Sequence, residues 1–234
     1  MRISWIAVLL ALAIGLGFAE EAKGQKKIDP ATHKLGIQPL GVFRDVDARI
    51  IKMALRDFYG FEVRILDPIA MPKVAYTKAR KRHRADTLLV VLNRLRLEPE
   101  RLSDVIVGLT RQDISTTKGR HKDWGIFGLG QIWGTACVVS SHRLIRKLGK
   151  KDFQKGLRRV VKVAIHEVGH VLGLPHCETP GCVMNDAEGT VKTVDRETGH
   201  LCEKCQAVLK SRFDYPDDHG FDTRWDLWLN KAGR

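Results

Sequence analysis

The chain has 234 residues, of which 44% are hydrophobic and 29% charged, enough for one sizeable core and unlike a disordered chain. Forty Lys+Arg against 27 Asp+Glu give a formal net charge of +13, which favours anionic surroundings and excludes no fold. No internal repeat, low-complexity block or nucleic-acid motif accompanies the charge, so nucleic acid is not inferred as a partner.

Residues 1–19 have the form of a signal peptide. Met1 and Arg2 form a short basic start, an apolar run follows from Ile3 to about Gly17, and Gly17-Phe18-Ala19 precedes Glu20. The expected protein is exported, periplasmic or secreted, with an uncleaved membrane anchor as the alternative because the run approaches the shortest bilayer span. Residues 20–36 are polar and aperiodic and read as a flexible lead-in, and 37–234 as a single domain.

Residues 37–43 are predicted as the first strand. Asp45 or Asp47 is expected to cap a helix with Ile50, Ile51, Ala54, Leu55 and Phe58 at helical spacing, ended by Gly60. Residues 61–67 alternate as a second strand, and a second helix is predicted over about 78–94. Its start coincides with Lys78-Ala79-Arg80-Lys81-Arg82-His83-Arg84, read as a solvated helix start, with docking onto an anionic surface as the alternative. Residues 104–110, 125–133 and 136–141 read as strands, the last two separated by a turn at Gly134. A long helix is expected over about 152–172. A loop-rich stretch follows, then a helical segment around 202–213 and a tail with Trp225 and Trp228. The alternation of strand and helix in the first half predicts an α+β fold with a twisted, mostly parallel sheet.

The long helix carries His166-Glu167-Val168-Gly169-His170, continued by Gly173, Pro175 and His176. Residues four apart share one helical face, so His166 and His170 can point at one metal. Glu167 stands beside the first of them, where it can hold a metal-bound water as general base without ligating. Gly173 lets the backbone leave the helix, Pro175 keeps helix from resuming, and His176 can return as third ligand. Three protein ligands leave a fourth position open, the arrangement of a catalytic zinc.

Four of the five cysteines follow at once. Cys177 adjoins His176, Cys182 and Met184 come next, and Cys202 and Cys205 form a Cys-x-x-Cys. Four thiolates close a tetrahedral zinc, whereas an exported chain also permits disulfides, in any of three pairings. Met184 reads as an apolar floor rather than a ligand. Cys137 sits in an apolar strand run and reads as buried.

From His166 to Cys205 this string resembles the signature of the archaemetzincins, a metzincin-type family of zinc metallopeptidases. Thr110-Arg111-Gln112-Asp113, Phe127-Gly128-Leu129-Gly130 and Val138-Val139-Ser140-Ser141-His142-Arg143-Leu144 are similar to family segments in a looser form. The resemblance covers about residues 37–213. It implies a zincin/metzincin-like fold with an active-site helix and a small C-terminal subdomain that bears zinc on a cysteine quartet. It implies two zinc ions per chain: a catalytic one on His166, His170 and His176, and a structural one on Cys177, Cys182, Cys202 and Cys205. Met184 would be its Met-turn and Glu167 its catalytic base. The strand at 125–133 would border the cleft antiparallel to an extended peptide or protein substrate. Gly128 and Gly130 are then expected to leave that edge open, the alternative being that they relieve crowding. Endopeptidase and aminopeptidase action both stay open. The rival reading, a zinc-containing binding or surface-docking protein without hydrolysis, is opposed by the intact Glu167.

Overall fold

The longest apolar runs before the active helix become the centre of a parallel sheet. In the computed structural model, which describes residues 26–232, these are β1 (Lys34–Leu40), β5 (Val105–Thr110) and β9 (Ala136–Ser140), with β2 (Glu62–Ile65) at the edge beside β1. Between them lie β3 (Tyr76–Thr77) and β4 (Arg82–Arg84), then β6 (Ile114–Lys118), β7 (His121–Ile126) and β8 (Gly128–Gly130). The helices are α1 (Asp45–Tyr59), α2 (Ala85–Leu95), α3 (His142–Ile145), α4 (Phe153–Val171), α5 (Val191–Arg196), α6 (Glu203–Arg212) and α7 (Trp225–Ala232). The candidate signal at 1–19 lies outside the described residues.

One sheet has the order β2-β1-β5-β9-β8, parallel except for β8, which runs antiparallel to β9 at the edge. Its middle strands are buried on both faces, which is why they read as unbroken apolar runs. Successive residues feed opposite cores. Val105, Val107, Leu109, Cys137 and Val139 join α1 and α4 in the larger core; Ile106, Ala136 and Val138 meet Leu88 and Leu92 of α2 in the smaller. A second sheet, β3-β4-β6-β7, carries the β6–β7 hairpin.

Several sequence expectations shift. The first strand occupies Lys34–Leu40 rather than 37–43, ending at Gly41. Asp45 and Asp47 do not cap α1; Arg44 holds the cap position, and both carboxylates lie in the first turn, near the positive end of the helix. Gly60, at φ +68°, ends that helix as expected. The described part of the lead-in is tied down. Ile28 pairs with Phe213, Asp29 caps a turn of 3-10 helix at Pro30–Thr32, and Pro30 is buried.

The basic run is not a helix start, because α2 begins at Ala85. Arg82 is drawn into β4 between Asp113 at 2.8 Å and Asp123 at 3.4 Å, while Arg80 reaches Asp123 and Arg84 reaches Asp86. Those pairs neutralise much of the run locally, which weakens it as a docking patch. The strand expected over 125–133 splits at Phe127: residues 125–126 belong to β7 in the second sheet, 128–130 form β8 in the first, and 131–133 turn. β6 has no sequence counterpart, since Ile114-Ser115-Thr116-Thr117-Lys118 shows no clear alternation. The tail is partly core: Trp228 is fully buried and donates its indole N–H to Asp57 at 2.9 Å.

Candidate active site and metal centres

α4 is anchored before it reaches the site. Val160, Val161, Ala164, Ile165 and Val168 face the larger core, and the buried Tyr59 hydroxyl donates to the Ile165 carbonyl at 2.7 Å. His166 and His170 stand one turn apart with ring centroids separated by 4.6 Å. The helix then breaks at Gly173, whose φ of +96° suits glycine. The N–H of Gly173 bonds to the His170 carbonyl and that of Leu174 to the Gly169 carbonyl. The turned chain brings the His176 ring to 5.4 Å from that of His166 and 4.8 Å from that of His170. One ring nitrogen from each of the three lies within 4.8 Å of the others.

Two of the imidazoles are oriented by backbone. His166 Nδ1 lies 2.8 Å from the Val183 carbonyl oxygen and His170 Nδ1 lies 2.7 Å from that of Leu174. Each Nδ1–H then donates, and each Nε2 lone pair is left for a metal. Burial, helped by the neighbouring His170, pushes the His166 pKa down to about 3, and burial lowers that of His170. Both rings are neutral at pH 7, the state a metal needs. His176 is half exposed, with Asp186 Oδ2 at 3.7 Å from its Nδ1.

Glu167 is 7% exposed, and burial lifts its pKa to about 8 against a backbone hydrogen bond from Gly130. Its surroundings decide the question about the β8 glycines. A Cβ at Gly128 would lie 2.5 Å from Glu167 Oε1, and one at Gly130 would overlap the Glu167 carbonyl oxygen. These glycines let α4 approach the edge strand; crowding relief is their role in the packing. Gly130→Ala is therefore expected to displace α4 from β8 and to cost about 1–3 kcal/mol of stability. Chemical denaturation checks this, and a variant as stable as the parent would show that the helix shifts freely.

The four cysteines gather in one place. Cys177 and Cys202 have their sulfurs 3.6 Å apart, Cys182 and Cys205 theirs 3.9 Å apart, and all four lie within 4.8 Å. A disulfide requires about 2.05 Å. A tetrahedron with Zn–S bonds of about 2.3 Å has edges of about 3.8 Å, so this donor set fits zinc. The interaction with the neighbouring Cys205 sulfur, 3.9 Å away, lowers the Cys182 pKa to about 5. Met184 is fully buried under α4, where a Cβ at Gly169 would come within 2.5 Å of its sulfur. Cys137 is buried in β9, as expected, with its thiol pKa raised by burial.

A cavity of about 360 Å³ opens between β8 and the loop after Met184 and reaches all three histidines and Glu167. Trp124 lines it, facing Gly189, and sequence reasoning missed two of its residues, Glu197 and Asp186. Asp186 also pairs with Lys118 at 3.9 Å. Only its place two residues after Met184 signalled it. Trp133, at φ +61°, lies outside the cavity lining, over Gly173 and beneath the Arg212 guanidinium at 4.4 Å.

The profile of peptidase family M54 matches residues 43–211. The chain is 32% identical over 184 residues to the archaemetzincin of Halobacterium salinarum, covering 75% of this chain and 99% of that one. It is 30% identical over 186 residues to the archaemetzincin of Methanocaldococcus jannaschii, covering 78% and 96%. The crystal structure of the Methanopyrus kandleri archaemetzincin superposes with a TM-score of 0.66 at 28% identity, covering 79% of this chain and 97% of that one. That of Archaeoglobus fulgidus, complexed with malonate, gives 0.62 at 31% identity, covering 75% and 99%. With the same fold, the same length of match and a histidine and a cysteine cluster both suited to zinc, the chain belongs to peptidase family M54, the archaemetzincins, and is a zinc metallopeptidase.

Proposed function

We propose that the chain cuts peptide bonds in the cavity below β8, with Glu167 as catalytic base and His166, His170 and His176 as ligands of the catalytic zinc. The observation carrying this reading is the convergence of three imidazoles beside a buried carboxylate at the edge of a sheet. When bound there, zinc polarises a carbonyl and lowers the pKa of water to roughly 7. The residues of the chain supply the rest. The Glu167 carboxylate takes a proton on one Oε from the attacking water and returns it to the leaving amine. β8 offers its free edge to an extended peptide, whose backbone it can pair.

A second, structural zinc on Cys177, Cys182, Cys202 and Cys205, with Met184 as the floor beneath the histidines, completes the proposal. Digestion of a proteome-derived peptide library with and without chelator tests the activity and distinguishes internal from terminal cleavage. Chelator-insensitive or absent cleavage would remove the reading. Metal analysis is expected to find two zinc ions per chain, and one zinc with no free thiols would instead favour disulfides.

Export is also part of the proposal, resting on residues 1–19. Among the described residues no helix is long and apolar enough to cross a membrane. N-terminal sequencing of the protein from its cells is expected to begin at Glu20; a start at residue 1 or 2 would reject cleavage.

A further inference from the structure

One end of the catalytic cavity holds a carboxylate with no partner. Glu197 follows the last residue of α5, is 6% exposed and lines the cavity with Val163 and Val194. Among the described residues its carboxylate accepts no hydrogen bond and forms no ion pair within 4.0 Å, yet neither oxygen is sealed from solvent. The cations around it are committed elsewhere. Lys162 gives its ammonium to the backbone carbonyls of Val194, at 2.9 Å, and of Glu197. Arg159 and Lys155 pair with Asp195, and Arg158 lies over Trp225. Burial accordingly holds the Glu197 pKa up at about 8, against the pull of Lys162.

The direction of the cleft places this carboxylate relative to a substrate. β8 runs alongside α4 in the same sense: Gly128 faces the Glu167 side chain, and further on the Trp133 N–H bonds to the His170 carbonyl. A peptide antiparallel to β8 therefore enters beside Trp133. Its C-terminal half leaves past Gly128 toward Val163, Val194 and Glu197.

We infer that Glu197 determines specificity on the C-terminal side of the scissile bond, selecting a lysine or arginine side chain for the residue that follows it. This rests on the peptidase reading above. A basic side chain would lay its alkyl stem along Val163 and Val194 and bring to Glu197 the cation it lacks. A neutral side chain of the same length would leave a buried carboxyl unpaired, and an acidic one would repel it.

Matched peptides carrying lysine, arginine, norleucine or glutamate at that single position test the inference. Zinc-loaded wild-type protein is expected to favour lysine over norleucine by about 10-fold or more in kcat/KM. Glu197→Gln is expected to bring the ratio near one, and Glu197→Lys to favour glutamate. Equal cleavage of the lysine and norleucine peptides by wild type overturns the inference, as does a ratio that survives in Glu197→Gln. Should no peptide be cut, the peptidase reading fails instead. Calorimetry with zinc-loaded Glu167→Gln then decides Glu197 separately: tighter binding of the lysine peptide supports it, and equal Kd values overturn it.

Discussion

Glu167→Gln is expected to keep its zinc and lose between about 10² and 10⁴ in kcat, the range that positioned general acid–base groups contribute. Glutamine has the same shape, so the packing of α4 against β8 survives. What it lacks is a basic oxygen that can carry a proton from water to the leaving amine. Stopped assays on a cleaved library peptide, with zinc content by mass spectrometry, check both halves of the expectation. A variant at full rate would remove Glu167 from the chemistry.

The same substitution has a stability signature in the metal-free protein. Burial raises the folded pKa of Glu167 to about 8 from its ordinary 4.5, so the folded state binds the extra proton between those values. Stability from this group is present below about 4.5 and lost as the pH rises toward 8. Glutamine carries no such slope, so the variant is expected to unfold at a higher temperature than the parent near pH 8, a difference that closes by about pH 4.

Cys202→Ser is expected to act on both metal centres. It removes one of the four sulfurs proposed to hold the structural zinc, and a chain dialysed against mild chelator should retain about one zinc rather than the proposed two. The histidine site should weaken as well, by about 10- to 100-fold, the usual effect of disturbing the groups that orient ligands. The reason is the path of the chain. Cys177 follows His176 directly, and its N–H bonds to the Met184 carbonyl at 2.9 Å. Asn185 ties down the carbonyls of Cys177 and Thr179. Val183, whose carbonyl orients His166, is held in turn by its N–H bond to the His200 carbonyl. The segment clamped by the thiolates thus carries one histidine and steers another. Zinc titration with a competing chromophoric chelator measures the coupling, and an unchanged affinity at the histidine site would show the two centres to be independent.

Much of the site was readable because its parts are consecutive. Residues 166–176 encode their own helix, break and return, and the cysteines follow within the same stretch. The parallel strands β1, β5 and β9 announced themselves as apolar runs. What escaped depends on distant partners. Arg80, Arg82 and Arg84 look like a solvated helical face until Asp113, Asp123 and Asp86 are placed beside them. The division at Phe127 depends on two sheets competing for one extended segment. Trp228 has no meaning as a core residue until α1 supplies Asp57. Glu197 is an ordinary helix-end carboxylate in sequence, and its interest comes only from the lack of a partner in the fold.

The pairing of Ile28 with Phe213 sets how the molecule would present itself if it were held by its front end. Residues 26–33 lead into β1 on the side of β2, the outer strand opposite β8. Four inter-strand spacings of about 4.8 Å separate those two edges, roughly 19 Å across the sheet. A tether pulling on the chain at residue 26 would thus grip the far margin and turn the open edge at β8 outward.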